Sequence, residues 1–76
     1  MAEGEIDWER ERARAASATQ QSLAALARRA GWSVGSARGK GSHILATRDH
    51  ARPVVIQRKM YRAAALSVID QLRKGE

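Results

Sequence analysis

The sequence predicts a small α+β domain with the element order α-β-β-β-α and a helical extension at its N-terminus. Two observations support this class: apolar residues recur at helical spacing in both outer parts of the chain, and the middle alternates apolar and polar residues as strands do. A chain of 76 residues buries only about 60% of the surface that its unfolded form exposes. A large enclosed substrate cavity is therefore not expected.

The first helical stretch covers residues 6–30, which contain no Gly or Pro and many good helix formers. Asp7 is the expected N-cap, and Gly31 is expected to end the helix in a left-handed conformation. The predicted buried stripe is Leu23, Leu26, Ala27 and Ala30, weakening upstream to Ala16 and Thr19.

The N-terminal part of this stretch differs in charge from the rest. Ser17, three residues before Gln20, is a candidate capping box, so one long helix and a short helix kinked into a second both fit. Five of the eight acidic residues lie in the first eleven positions. We therefore divide the chain into an acidic helical arm, 1–16, and a domain, 17–76. The arm either extends the helix into solvent or folds against a basic surface or a second copy, and Trp8 favours such a contact.

Three strands are expected between Gly31 and the last helix. The first begins where Trp32 and Val34 alternate with polar or small residues, the second covers about 42–47, and the third covers 53–58. The last helix is expected over about 61–73, with Tyr61, Ala65, Val68, Ile69 and Leu72 on its buried face.

Short turns between sequential strands favour a three-stranded antiparallel sheet, with the helices packed on one of its faces. This α-β-β-β-α order is the topology of double-stranded-RNA-binding (dsRBD-like) domains. The other face of the sheet and the loops would then remain open to a ligand.

The charge of the chain indicates a polyanionic partner, nucleic acid first. The net charge is +6, and from Ser17 onward eleven Lys and Arg residues stand against three acids. An Arg-rich composition of the source genome is the alternative explanation. The chain has no Cys and no apolar run long enough for a membrane span, and its first residues lack the pattern of a signal peptide. We therefore expect a cytoplasmic protein with no membrane partner.

The most informative stretch is 39–43, Gly-Lys-Gly-Ser-His, where a cationic loop becomes a strand. RNA carries its own nucleophile, the 2′-hydroxyl, so a protein that cleaves it needs mainly a proton carrier and positive charge near the phosphate. An isolated imidazole has a pKa of about 6.5, which makes His43 the candidate catalytic residue. The chain offers no recognised set of metal ligands, and we expect neither a metal nor another cofactor. The candidate RNA-phosphate contacts are Arg38, Gly39, Lys40, Gly41, Ser42, Arg58 and Lys59.

Roughly residues 20–72 resemble the HicA family of small toxins, the mRNA interferases of type II toxin-antitoxin systems. The resemblance rests on the helix end Leu26 to Trp32, on the Lys-Gly-Ser-His corner at 40–43, and on the strand-turn-strand segment 47–56. It implies a dsRBD-like fold, endoribonuclease activity of the corner histidine and inhibition by an antitoxin of the HicB type. The chain carries Ile44 where family members often have a second His.

Other interpretations of these residues remain open. A non-catalytic binder of RNA or DNA needs the cations but not His43, which would then be a polar residue at a strand start. A protein-interaction module would use the N-terminal arm to form a homo-oligomer. His50 is expected to be an exposed turn residue, and Trp32 and Tyr61 are expected to pack rather than to stack on bases. Arg28 and Arg29 are expected to interact with the C-terminus of their helix.

Overall fold

The computed structural model describes residues 6–36 and 43–75. Its helices are α1 (Trp8–Ala13), α2 (Gln20–Arg29) and α3 (Arg62–Lys74), and a single 3-10 turn covers Ala15–Ser17. Its strands are β1 (Ser33–Ser36), β2 (Ile44–Thr47) and β3 (Val54–Ile56). The strands form one sheet in the order β1-β2-β3 with both neighbouring pairs antiparallel, so the predicted α+β class with a three-stranded antiparallel sheet is confirmed.

The N-terminal helical stretch breaks into two helices, which decides between the two alternatives left by the sequence. The Asp7 carboxylate accepts a hydrogen bond from the backbone N–H of Arg10 at 3.1 Å, so the predicted N-cap of α1 is confirmed. Ala18 and Thr19 then adopt extended backbone conformations, which end one helical segment before the next begins.

The capping box of α2 lies two residues later than the sequence interpretation placed it, so the prediction for Ser17 is wrong. The Ser17 hydroxyl donates to the carbonyl of Arg14 within the 3-10 turn. Thr19 is the actual N-cap: its hydroxyl accepts from the Ser22 N–H at 3.1 Å, and the Ser22 hydroxyl accepts from the Thr19 N–H at 2.9 Å. A serine thus takes the position at which Glu or Gln is usual.

The buried stripe of α2 is confirmed, but its upstream continuation is wrong. Ala16 and Thr19 are exposed, whereas Ala15 is buried at 1% exposure. The break before α2 changes the helical phase, so the spacing read from α2 does not extend across it. The confirmed buried residues are Leu23, Leu26, Ala27 and Ala30.

Helix α2 ends at Gly31 in a left-handed conformation, as the sequence predicts, and the hydrogen bonds there form a Schellman motif. Gly31 has a φ of +93°, in the left-handed region. The Trp32 N–H bonds to the Ala27 carbonyl at 2.9 Å and the Gly31 N–H bonds to the Arg28 carbonyl at 3.1 Å, the two bonds that define this motif. The turn directs the chain into β1 and places the Trp32 side chain in the core at 4% exposure.

Gly31→Ala is expected to lower the free energy of unfolding by about 1–2 kcal/mol, because an L side chain is strained at this φ. A Cβ there would lie 3.7 Å from Arg48 Nη1, an ordinary contact, so the loss is conformational rather than steric. Urea unfolding measures it. The matched control is Gly35→Ala in β1, where no atom lies within 4 Å of the added Cβ and little change is expected. Equal losses in both variants would contradict this account.

The two faces of the sheet differ in burial. Paired residues on neighbouring strands, and alternate residues along a strand, point to the same side. The face packed against the helices carries Val34, Ile44, Ala46, Val54 and Ile56. The opposite face carries Ser33, Gly35, Leu45, Thr47 and Val55, of which Val55 is 48% exposed.

Helix α3 closes the core along a confirmed stripe, but the expected packing of Tyr61 is wrong. Tyr61 precedes the helix with an extended backbone at the N-cap position, and this orientation leaves its side chain 62% exposed. The confirmed buried residues of α3 are Ala65, Val68, Ile69 and Leu72.

Helix α1 packs against α3 of the same chain. Trp8, half-buried, packs against the core cluster, and Arg12 forms an ion pair with Asp70 on α3. Glu9 lies 4.0 Å from Arg73 through Oε1 and Nη1. The opposite charges of the two helices therefore face each other. The division of the chain at residue 16 stays a prediction.

Candidate active site

His43 lies at the start of β2, half-buried, in the last position before the strand. The antiparallel register places the start of β2 beside the end of β3. His43 therefore shares an open cleft of about 560 Å³ with the residues that follow β3, Gln57, Arg58 and Lys59. Two predicted phosphate contacts, Arg58 and Lys59, thus come together with the predicted catalytic residue.

Five further predicted contacts lie outside the described residues and stay predictions. The segment that contains them joins Ser36, the last residue of β1, to His43. Ser36 pairs with Ile44, so both ends of the segment lie at the His43 end of the sheet. These predicted contacts are Arg38, Gly39, Lys40, Gly41 and Ser42.

The described lining of this cleft is cationic. Arg58 and Lys59 are exposed, and no carboxylate is among the described residues that line the cleft with them. Two positive charges beside an imidazole favour an anionic ligand, because ion pairing and hydrogen bonding both act on the same phosphoryl oxygens. A phosphodiester held by Arg58 and Lys59 would have its phosphorus near the His43 imidazole, a group that can transfer a proton.

Gln57 is a member of the cleft that the sequence interpretation missed. It follows β3 directly, so continuing the strand register by one residue beyond Ile56 places it opposite His43. Its amide can both donate and accept hydrogen bonds. The position of Gln57 in the cleft follows from the pairing of β2 with β3, and the sequence alone does not specify that pairing.

A second groove of about 360 Å³ adjoins the His43 cleft, since Gln57 lines both. Val55, Met60 and Tyr61 line it as well. Tyr61 is therefore an exposed aromatic ring within reach of the candidate site, in contrast to Trp32, whose predicted packing in the core is confirmed. Proteins that bind single-stranded nucleic acid combine a cationic groove with aromatic side chains on which bases stack.

The opposite end of the sheet carries the turn between β2 and β3. His50 is exposed there, as predicted, and has a φ of +66°. The Ala51 N–H closes the turn on the Arg48 carbonyl at 3.2 Å. Arg48 Nη1 donates to the Ala30 carbonyl at 2.8 Å, so a cation from this turn binds the C-terminus of α2. Arg28 and Arg29 lie in the last turn of α2, where cations are favoured, and Arg48 adds a contact there that the sequence interpretation missed.

No protein-family model, curated protein or solved structure matches this chain. Among residues 6–36 and 43–75, no helix has both the length and the apolar character that a membrane crossing needs. The same described residues contain no group of three His, Cys, Asp or Glu side chains placed to hold a metal ion.

Proposed function

We propose that this protein is a small RNA-binding endoribonuclease that cleaves without a metal ion and uses His43 to transfer the proton. The observation that carries the proposal is the cleft that His43 shares with Arg58 and Lys59. The open cleft suits a nucleic-acid strand, which can lie across the surface of a small domain. The charge of +6 favours the same ligand.

Within that class, we propose a toxin of the HicA type with a dsRBD-like fold. The Lys-Gly-Ser-His corner at 40–43 and the helix end at Leu26 to Trp32 support this assignment through their resemblance to the family. The α-β-β-β order is compatible with it. The substrate would be mRNA, and the inhibiting partner an antitoxin of the HicB type.

In the proposed reaction, the 2′-oxygen of the RNA attacks the adjacent phosphorus. His43 removes the 2′-hydroxyl proton as the O–P bond forms, the bond from phosphorus to the 5′-oxygen breaks, and the leaving oxygen takes a proton from water. The hydroxide that remains takes the proton from His43, which returns the imidazole to its starting state. The products are a 2′,3′-cyclic phosphate and a free 5′-hydroxyl. Arg58 and Lys59 stabilise the negative charge on the phosphoryl oxygens during this step.

RNA cleavage in EDTA tests the proposal. Purified protein is incubated with a mixed-sequence RNA, fragments are followed on a gel, and binding is measured separately. Fragments that end in a cyclic phosphate are the expected result. Binding without any cleavage would overturn the toxin mechanism.

Tyr61→Ala is expected to weaken RNA binding by about 1–3 kcal/mol, the usual loss when one base-stacking ring is removed. Tyr61 is 62% exposed, so little loss of folding stability is expected from the change. Fluorescence anisotropy with a labelled RNA measures the affinity. Tyr61→Phe is the matched control, because it keeps the ring, and it should bind as the wild type does. Unchanged affinity in Tyr61→Ala would exclude stacking at this position.

A non-catalytic RNA-binding domain is the second candidate function. One observation favours it. A two-residue acid-base mechanism needs a second group that transfers protons, such as a carboxylate. The described residues that line the cleft include the imidazole of His43 and no carboxylate. Affinity and its salt dependence do not separate the two candidates, because both depend on the same phosphate contacts. Cleavage alone separates them.

A further inference from the structure

A larger cleft, of about 690 Å³, lies at the end of the sheet opposite to His43. It is formed by Trp32 before β1, by the turn from Arg48 to Arg52 between β2 and β3, and by the end of α3 at Lys74 and Gly75. This volume lies within the range of about 300–1,000 Å³ typical of small-molecule sites. The RNA-cleavage proposal makes no use of it.

The wall of this cleft contains a buried donor without a partner. Trp32 is 4% exposed, and its Nε1 has no hydrogen-bond partner among the described residues. An indole N–H is only a donor, and leaving such a group buried and unpaired costs about 1–3 kcal/mol. A ligand oxygen that accepts this hydrogen bond would recover that loss.

Gly75 packs against the six-membered ring of the Trp32 indole. A Cβ on Gly75 would lie 2.2 Å from Cζ2, 2.6 Å from Cη2 and 3.3 Å from Cε2. Glycine is therefore needed for the close approach. Gly75 follows the last residue of α3, and its N–H bonds to the Gln71 carbonyl at 3.1 Å. Because Nε1 is buried, a ligand oxygen reaches it only when the residues around it shift.

Cations line the rest of the wall together with apolar atoms. Arg52 and Lys74 are exposed side chains at the rim, and Asp49 supplies the one carboxylate among the described residues of the lining. Arg48 adds a third positive charge, although its Nη1 already binds the Ala30 carbonyl. Ala51 and Val54 supply apolar surface. The lining therefore suits an anion that has an apolar body.

We propose that this cleft is a second ligand site, for a phosphomonoester with an aromatic body, the chemistry of a nucleoside monophosphate. Trp32 Nε1 donates to a ligand oxygen, Arg52 and Lys74 pair with the phosphate, and the base lies against the apolar wall. The proposal stands independently of RNA cleavage at His43, because it uses none of the same residues.

The test is a titration of the His43→Ala protein with adenosine monophosphate, followed by two-dimensional NMR of the indole N–H groups. This variant keeps the second cleft intact and removes the proposed cleavage, so failure of one proposal does not imply failure of the other. The signal of Trp32 is expected to shift saturably while that of Trp8 changes little. No saturable shift of the Trp32 signal up to about 10 mM ligand, tenfold above a dissociation constant of about 1 mM, would overturn the proposal.

Three variants assign the contacts. Arg52→Ala and Lys74→Ala should each raise the dissociation constant about two- to fivefold, the range of an exposed ion pair. Arg62→Ala is the matched control, because it removes the same charge from an exposed position at the other end of α3, and it should change nothing. Equal weakening by Arg62→Ala would mean general charge attraction and would overturn the site. Trp32→Phe keeps a ring and removes the N–H, so its titration is followed through the backbone amide signals of Arg52 and Lys74. Weaker binding by the folded variant supports the hydrogen bond, and unchanged binding would overturn it.

Two further probes define the ligand. Inorganic phosphate should bind more weakly than the nucleotide, and equal binding would reduce the cleft to an anion site and overturn the nucleotide assignment. The same chemistry occurs in a free nucleotide and at the phosphorylated end of an RNA strand. A short 5′-phosphorylated RNA and its dephosphorylated form distinguish these sources through the shift of the Trp32 signal, because RNA also binds at the His43 cleft. A saturable shift with the phosphorylated RNA alone assigns the RNA end, no shift with either RNA assigns the free nucleotide, and equal shifts with both would overturn the phosphomonoester assignment.

Discussion

His43→Ala is expected to lower the rate of RNA cleavage by about 10²- to 10⁴-fold, the usual contribution of a positioned proton carrier. The reason is the position of His43 in a cleft with Arg58 and Lys59, where a bound phosphodiester would lie beside the imidazole. RNA affinity should change little, because the charges that bind phosphate remain. Gel analysis of fragments in EDTA gives the rate, and anisotropy gives the affinity.

The control for this prediction uses the second histidine of the chain. His50 lies in the turn at the opposite end of the sheet and has a φ of +66°, so His50→Asn removes an imidazole while keeping a residue type that tolerates this conformation. Cleavage should continue at the wild-type rate. His43 lies outside the buried core cluster, so His43→Ala is expected to fold. If this variant unfolds instead, His43 is a structural residue and the loss of cleavage does not identify a proton carrier.

The sequence predicts the elements of this fold because each depends on local chemistry. Asp7 caps α1, Gly31 ends α2, and apolar residues at helical spacing form the buried stripes of α2 and α3. These features act over one or two turns of backbone. The residues that make these interactions lie close together in the sequence, so the sequence alone predicts them.

The errors arise where several local choices compete or where distant segments meet. Ser17 and Thr19 are both acceptable caps, and the extended backbone of Thr19 decides between them. Tyr61 has the spacing of a buried residue, but it precedes the first turn of α3 and points to solvent. Arg48 reaches the end of α2 from a position 18 residues away. Such contacts follow from the pairing of the strands, which composition and periodicity do not specify.

The same distinction applies to the candidate sites. His43, Arg58 and Lys59 were predicted from their chemistry and, for His43, also from the resemblance of the Lys-Gly-Ser-His corner to a toxin family. Their common cleft follows from the antiparallel register of β2 and β3. Gln57 has no distinctive chemistry and is found only through that register. The cleft around Trp32 also escapes sequence reasoning, because Gly75 and Trp32 are 43 positions apart and meet only when α3 packs on the sheet.

Leu72→Ala is expected to lower the free energy of unfolding by about 2–5 kcal/mol, the cost of lost burial together with the cavity that remains. Leu72 is fully buried in α3 and belongs to the core cluster between the helices and the sheet. A domain of this length has a total stability of only about 4–11 kcal/mol. The substitution therefore removes a large part of what holds α3 on the sheet. Urea unfolding followed by circular dichroism measures the loss.

Leu66→Ala is the matched control for this prediction. Both residues are leucines within α3, so the change in helix propensity is nearly the same and cancels in the comparison. Leu66 is only half-buried and packs against the edge of the core cluster, so its loss should be at most about half that of Leu72. Equal losses would mean that α3 presents a different face to the sheet. That result would also remove the basis for the groove around Tyr61 and for the cleft around Trp32, since α3 begins beside the first and ends beside the second.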